Sequence, residues 1–161
     1  MMMRMLEAGG VPCFHDPDQR ANQFNPGGFY ESQAVMGGDF AGVPDGHAVK
    51  CLHMLATMPD DLDARVIIMQ RDIAVTMASA NRMAAAAGKP LLPDDYAGFL
   101  QGCMDATRLW CAGKPHVEVR KDDVHRNTAN ECLRVRRMLG IDLDLAAMAN
   151  VPSPRSYLCR R

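Results

Sequence analysis

An arginine and a serine eight residues apart are the residues of this chain best spaced to do chemistry. Arg65-Val-Ile-Ile-Met-Gln70 is a run of apolar and β-branched residues, which predicts a strand buried on both faces. Arg71 stands at its carboxyl end. From Ile73 to Ala87 the pattern is helical. Ile73, Met77, Ala80, Ala84 and Ala87 share one face, and Asp72, Thr76, Ser79 and Arg82 form a polar stripe. A guanidinium fork matches phosphate oxygens bidentately. The first turn of the following helix adds backbone donors and the positive end of its dipole. The Ser79 hydroxyl can supply one more hydrogen bond. This is the arrangement of a phosphate site. An exposed ion pair between Arg71 and a neighbouring carboxylate uses the same residue and stays open as a reading.

Two further groups have the residue types for chemistry. Cys13-Phe-His15 and Cys51-Leu-His53 are Cys-x-His pairs, with Asp16 beside the first. On a strand, residues i and i+2 face one side, so each pair has a chelating geometry for zinc. The spacings are not those of common zinc folds, and no metal is expected. Arg134, Arg136, Arg137, Arg155, Arg160 and Arg161 make the C-terminal region basic. They read as a solvated helix face and tail, or as a contact to a nucleotide or an acidic acceptor; Asp142 and Asp144 offset part of the charge.

The elements that must position these residues follow from periodicity. Met1 to Ala8 predicts a helix with Met2, Met5 and Leu6 on one face, stopped by Gly9-Gly10. Val11 to His15 reads as a short strand, 16–28 as a loop, and 29–36 as a short helical or irregular stretch. Ala48 to Leu52 reads as a strand end passing into a helix. Pro93 to Ala112 predicts a long helix with Phe99, Cys103, Met104, Leu109 and Trp110 inward. Val117 to Val119 reads as a strand. Thr128 to Leu139 reads as a helix ending at Gly140, with Cys132, Val135, Met138 and Leu139 inward. Short strands alternating with helices predict an α/β layer fold with a mostly parallel sheet, whose ligands gather at the carboxyl ends of its strands.

Composition sets the bounds. The 161 residues suit one domain with one core. Aromatics are 6%, so the core must rest on aliphatic residues and on the 13 methionines. A formal net charge of -1 gives no electrostatic reason to expect nucleic acid or an anionic membrane. No apolar run approaches the roughly 20 residues of a membrane span. Met1 to Gly10 is short and carries Arg4 and Glu7, unlike a signal peptide. The six cysteines contain no Cys-x-x-Cys pair and read as reduced thiols of a cytoplasmic protein.

The segment Arg71-Asp-Ile-Ala-Val-Thr-Met-Ala-Ser79 resembles the nucleotide 3′-phosphate motif of sulfotransferases that use 3′-phosphoadenosine 5′-phosphosulfate. In that family an Arg at a strand end and a Ser eight residues later hold the 3′-phosphate. Met1-Met-Met-Arg-Met-Leu-Glu-Ala-Gly-Gly-Val-Pro12 resembles the helix that follows the family's phosphate loop. Asn25-Pro-Gly-Gly-Phe-Tyr-Glu31 is similar to the Asn-Pro-x-Gly-Tyr/Phe-x-Glu segment of bacterial members. His47-Ala-Val-Lys50 with Leu55 to Pro59 resembles the next strand and helix, and Leu139 to Met148 through Ser156-Tyr-Leu158 resembles a family C-terminus.

The resemblance implies a three-layer α/β/α, P-loop NTPase-like fold with a mostly parallel sheet over one domain, 1–161. It implies 3′-phosphoadenosine 5′-phosphosulfate as co-substrate, with Arg71 and Ser79 binding its 3′-phosphate. Lys50 falls where the family often has a strand-end lysine near the sulfuryl group; a surface lysine is the alternative. Glu31 is the candidate base, and an exposed loop carboxylate is its alternative. His53 follows Lys50 by three residues, where cytosolic members have Lys-x-His, so it is not carried over. The phosphate loop and first strand of the family have no counterpart in the sequence. The expectation is an N-terminally truncated domain, impaired in sulfuryl transfer to an acceptor hydroxyl or amine. The alternative is a non-catalytic remnant, or a partner-dependent protein whose open sheet edge is covered by another chain or a second copy.

Overall fold

Residues 1–17, 28–52 and 58–151 are described by the computed structural model. Helix α1 (Met2–Ala8) buries Met2, Met5 and Leu6, the i, i+3, i+4 face that the sequence predicts. Gly9 takes the turn that follows, where a β-carbon would lie 2.7 Å from the Met148 side chain. Strand β1 (Cys13–Phe14) comes next, then helix α2 (Gln33–Met36) and strand β2 (Ala48–Val49). β1 is shorter than the expected Val11–His15 because its neighbours bond elsewhere. Val11 N–H donates to Leu6 O at 2.9 Å, and Asp16 N–H donates to Glu31 O at 3.0 Å. β2 ends at Val49, before the expected Leu52, and Lys50 then turns toward Glu31.

Strand β3 (Val66–Gln70) and helix α3 (Ile73–Ala86) form where predicted. Asp72 caps α3, its carboxylate accepting from Val75 N–H at 3.0 Å. Helix α4 (Tyr96–Trp110) returns the chain to strand β4 (His116–Arg120). Helices α5 (Lys121–Arg126), α6 (Thr128–Leu139) and α7 (Leu145–Asn150) complete the described chain. α6 matches its predicted bounds and stops at Gly140 with φ 62°, where a left-handed conformation favours glycine. α5 has no sequence periodicity to announce it, since Val124 is its sole buried residue. Its charges suit the helix dipole, with Asp122 and Asp123 in the first turn and His125 and Arg126 in the last.

The buried face of α4 differs from the expected one. Phe99 is 52% exposed and Leu109 78% exposed. Leu100 is buried instead, with Cys103, Met104 and Thr107 half-buried beside it. Cys103, Met104 and Trp110 of the expected face are half-buried as expected, and the difference lies in Phe99 and Leu109, which turn outward while Leu100 and Thr107 turn inward. The Phe99 ring rests on Tyr96, with centroids 5.2 Å apart.

Both strand pairs are parallel. β1 pairs with β2 in the register Cys13↔Ala48, and β3 pairs with β4 from Val66↔His116 to Gln70↔Arg120. The class is therefore mixed α/β with short parallel sheets. Among the described residues the strands form two two-stranded sheets, where one larger sheet is expected. One cluster of buried side chains reaches both sheets: Met5, Val119, Val124, Cys132, Val135 and Met148 lie at its centre, with Ala48 of β2 and Ile67 and Met69 of β3 packed against it. Ile68, one residue out of phase, is buried on the opposite face of β3. Among the described residues no helix is long and apolar enough to cross a membrane.

Candidate functional site

Polar residues collect where both parallel pairs end, the edge at which α/β sheets hold ligands. At the end of β3 and β4 a cleft of about 220 Å³ is lined by Gln70, Arg71, Asp72, Arg120, Lys121 and Asp122. The pairing Gln70↔Arg120 explains the lining, because each strand delivers its last residue and the two that follow to one place. Three cations face two carboxylates there. The Asp72 carboxylate is committed to the α3 cap, and the Gln70 amide donates to Glu118. Glu118 also takes Arg108, whose Nε lies 2.9 Å from Oε1, and that pairing holds the Glu118 carboxyl below its usual range. Arg71 and Arg120 form no ion pair among the described residues, so the ion-pair reading of Arg71 finds no partner there.

Ser79 is half-buried on α3 and does not line the cleft. Helical rise puts it roughly 10 Å along the axis from Asp72. Asp72 and Thr76 precede it on the same stripe, Thr76 Oγ1 donating to Asp72 O at 2.9 Å.

At the end of β1 and β2, Lys50 and Glu31, 19 residues apart in sequence, meet as an ion pair with Nζ 2.7 Å from Oε1. Lys50 also donates to Phe29 O at 2.9 Å. Neither side chain is freely solvated, at 27% and 19% exposure. The loop carrying Glu31 is held to β1 by Asp16, whose N–H donates to Glu31 O and whose carboxylate accepts from Gln33 N–H at 2.7 Å. Tyr30 has φ 55° within this loop and donates its hydroxyl to Glu7. Its ring meets His15 edge to face at 5.3 Å. Burial, followed by the Glu7 hydrogen bond, pushes the Tyr30 hydroxyl up to about 12. The start of α1 lies within the charge field of both ends. There the Met1 amine is lowered by burial first, then by Lys50, Arg4 and Lys121.

The first Cys-x-His pair lies beside this group. Burial and then the charge of Glu7 push the Cys13 thiol up to about 11, which disfavours the thiolate a metal requires. Among the described residues no three His, Cys, Asp or Glu side chains gather to hold a metal ion. His53 lies outside the described residues, as do Asn25 to Gly27, most of Leu55 to Pro59, Ser156 to Leu158, Arg155, Arg160 and Arg161. Of the basic C-terminal group, Arg134 pairs with Glu131 at 2.6 Å and donates to Glu118 O at 3.0 Å.

Arg120 and Lys121 are functional candidates that sequence reading passes over. Their signal was visible in hindsight: they follow a strand as Arg71 does. Only the pairing of β3 with β4 makes them its neighbours. The sequence matches no protein-family model, and no curated protein or solved structure is significantly similar to it.

Proposed function

We propose that this chain is a sulfotransferase-like protein that binds the nucleotide of 3′-phosphoadenosine 5′-phosphosulfate, the reaction class that the resemblance implies being transfer of the sulfuryl group to an acceptor hydroxyl or amine. The observation that carries the reading is Arg71, unpaired among the described residues, in a cationic cleft at the carboxyl ends of two parallel strands. In this reading Arg71 takes the nucleotide 3′-phosphate, and Ser79 bonds it from the polar stripe of α3. The fold is then the three-layer P-loop NTPase-like one.

The Lys50–Glu31 pair supplies the second half of the chemistry. The acceptor oxygen or nitrogen forms a bond to sulfur, the bond from sulfur to the 5′-phosphate oxygen breaks, and Glu31 takes the acceptor proton. Lys50 offsets the negative charge that moves onto the leaving phosphate. Positioning and charge neutralisation carry such an in-line transfer.

Calorimetric titration with adenosine 3′,5′-bisphosphate tests the reading. Saturable binding is expected, weakened at least about tenfold in Arg71→Ala, because a charge-assisted phosphate contact is lost. Absence of binding to the wild-type chain overturns it. A non-catalytic, partner-dependent protein of the same fold is the second reading. It is favoured by the two-stranded sheets, in which every strand keeps one open edge among the described residues.

A further inference from the structure

The geometry points to Arg120 as a second phosphate-binding arginine, which closes a two-guanidinium clamp with Arg71 on a terminal phosphate monoester. The inference rests on the nucleotide-binding reading above and adds to it a residue outside the Arg71/Ser79 motif.

Three observations carry it. First, β3 and β4 end side by side in the register Gln70↔Arg120, and Arg71, the residue after Gln70, lines the same cleft as Arg120. Neighbouring strands are about 4.8 Å apart, a separation that two long side chains bridge around one tetrahedral anion. Second, two of the nearby acids are engaged elsewhere, Asp72 in the α3 cap and Glu118 with Arg108 and Gln70, which leaves Asp122 as the other carboxylate of the cleft. Two cations lining one cleft repel each other, and an anion between them removes that cost. Third, the cleft of about 220 Å³ is smaller than the roughly 300–1,000 Å³ of a pocket that encloses a whole small molecule. It fits one charged group at the end of a larger ligand. Asp122 in the lining disfavours extended polyanions, and Lys121 in the same lining adds positive charge.

Titrations with adenosine 3′,5′-bisphosphate, adenosine 5′-monophosphate and inorganic phosphate test this on wild type, Arg71→Ala, Arg120→Ala and Arg120→Lys. Arg120 is exposed, so its variants are expected to melt with the wild type. The expected result is at least about tenfold weaker bisphosphate binding in Arg120→Ala, partial recovery in Arg120→Lys, and little effect on the monophosphate that lacks the terminal 3′ group. Bisphosphate binding that Arg71→Ala weakens and Arg120→Ala does not overturns the clamp and leaves the nucleotide reading standing. Inorganic phosphate bound without the nucleotide, and lost in both alanine variants, keeps the clamp and overturns the nucleotide reading. Failure of all three ligands to bind wild type overturns both.

Discussion

The two strand ends of this protein are built from the same parts and left in opposite electrostatic states. At the end of β1 and β2, Lys50 is bonded to Glu31 and to Phe29 O, and Tyr30 to Glu7. At the end of β3 and β4, Arg71 and Arg120 share a cleft without an ion pair among the described residues. The lesson is that a carboxylate's neighbourhood in sequence does not decide which cation it answers. Asp72 is adjacent to Arg71, yet its oxygen goes to the first turn of α3. Glu31 is far from Lys50 in sequence, yet the two touch, because the loop that bears Glu31 is tied to β1 through Asp16. One end is internally neutralised, and at the other the two arginines form no ion pair among the described residues.

Stability separates the two ends most strongly. Glu31→Ala leaves the partly buried Lys50 ammonium with one bond, and a loss of about 1–3 kcal/mol is expected. Arg71→Ala and Arg120→Ala are expected to change stability by less than about 0.5 kcal/mol, since exposed side chains without an ion pair among the described residues contribute little. Urea unfolding of the three variants makes the measurement, and equal losses at both ends would erase the contrast.

A smaller effect sharpens the account of Asp72. If its carboxylate serves the α3 cap, Asp72→Ala costs about 1 kcal/mol, and Asp72→Asn recovers most of it because an amide oxygen caps as well. A loss in Asp72→Asn as large as in Asp72→Ala would mean that its charge, and hence Arg71, is what it serves.

The smallest expected effect concerns the thiol beside the neutralised end. Cys13, at about 11, has its pKa raised above the ordinary value of 9.0, so at pH 8 the thiol stays protonated. Its alkylation by iodoacetamide is expected to be slower than that of an ordinary exposed thiol, and to accelerate as pH rises toward 11. The linkage sign follows: the unfolded thiol loses its proton first, so the native state is destabilised as pH rises from about 9 through 11. Fast labelling at pH 8 would show a thiolate, and with it a reactive or metal-binding cysteine.

Much of the architecture was legible in the sequence, residue by residue. The apolar run before Gln70 and the periodicity after Asp72 announce β3 and α3, and Cys132, Val135 and Gly140 fix α6. Where two stripes compete on one helix, periodicity cannot choose. Phe99 and Leu109 of α4 lie toward solvent while Leu100 goes in, because the helix rotates to suit its neighbours. Charged α5 had no apolar period to read, and the division of four strands into two pairs is a property of their partners.

The same division runs through the candidate site. The sequence by itself determined that Arg71 follows a strand and that a helix starts at Ile73, since both follow from local pattern. It also presented Lys50, Glu31 and Ser79 as separate candidates. Only the tertiary structure decided that Lys50 and Glu31 form one pair, and that Arg120 lines the same cleft as Arg71. The reason is physical. Capping and periodicity act over a few residues, whereas strand pairing joins residues 50 apart in the Gln70↔Arg120 register through backbone hydrogen bonds that carry no side-chain signature.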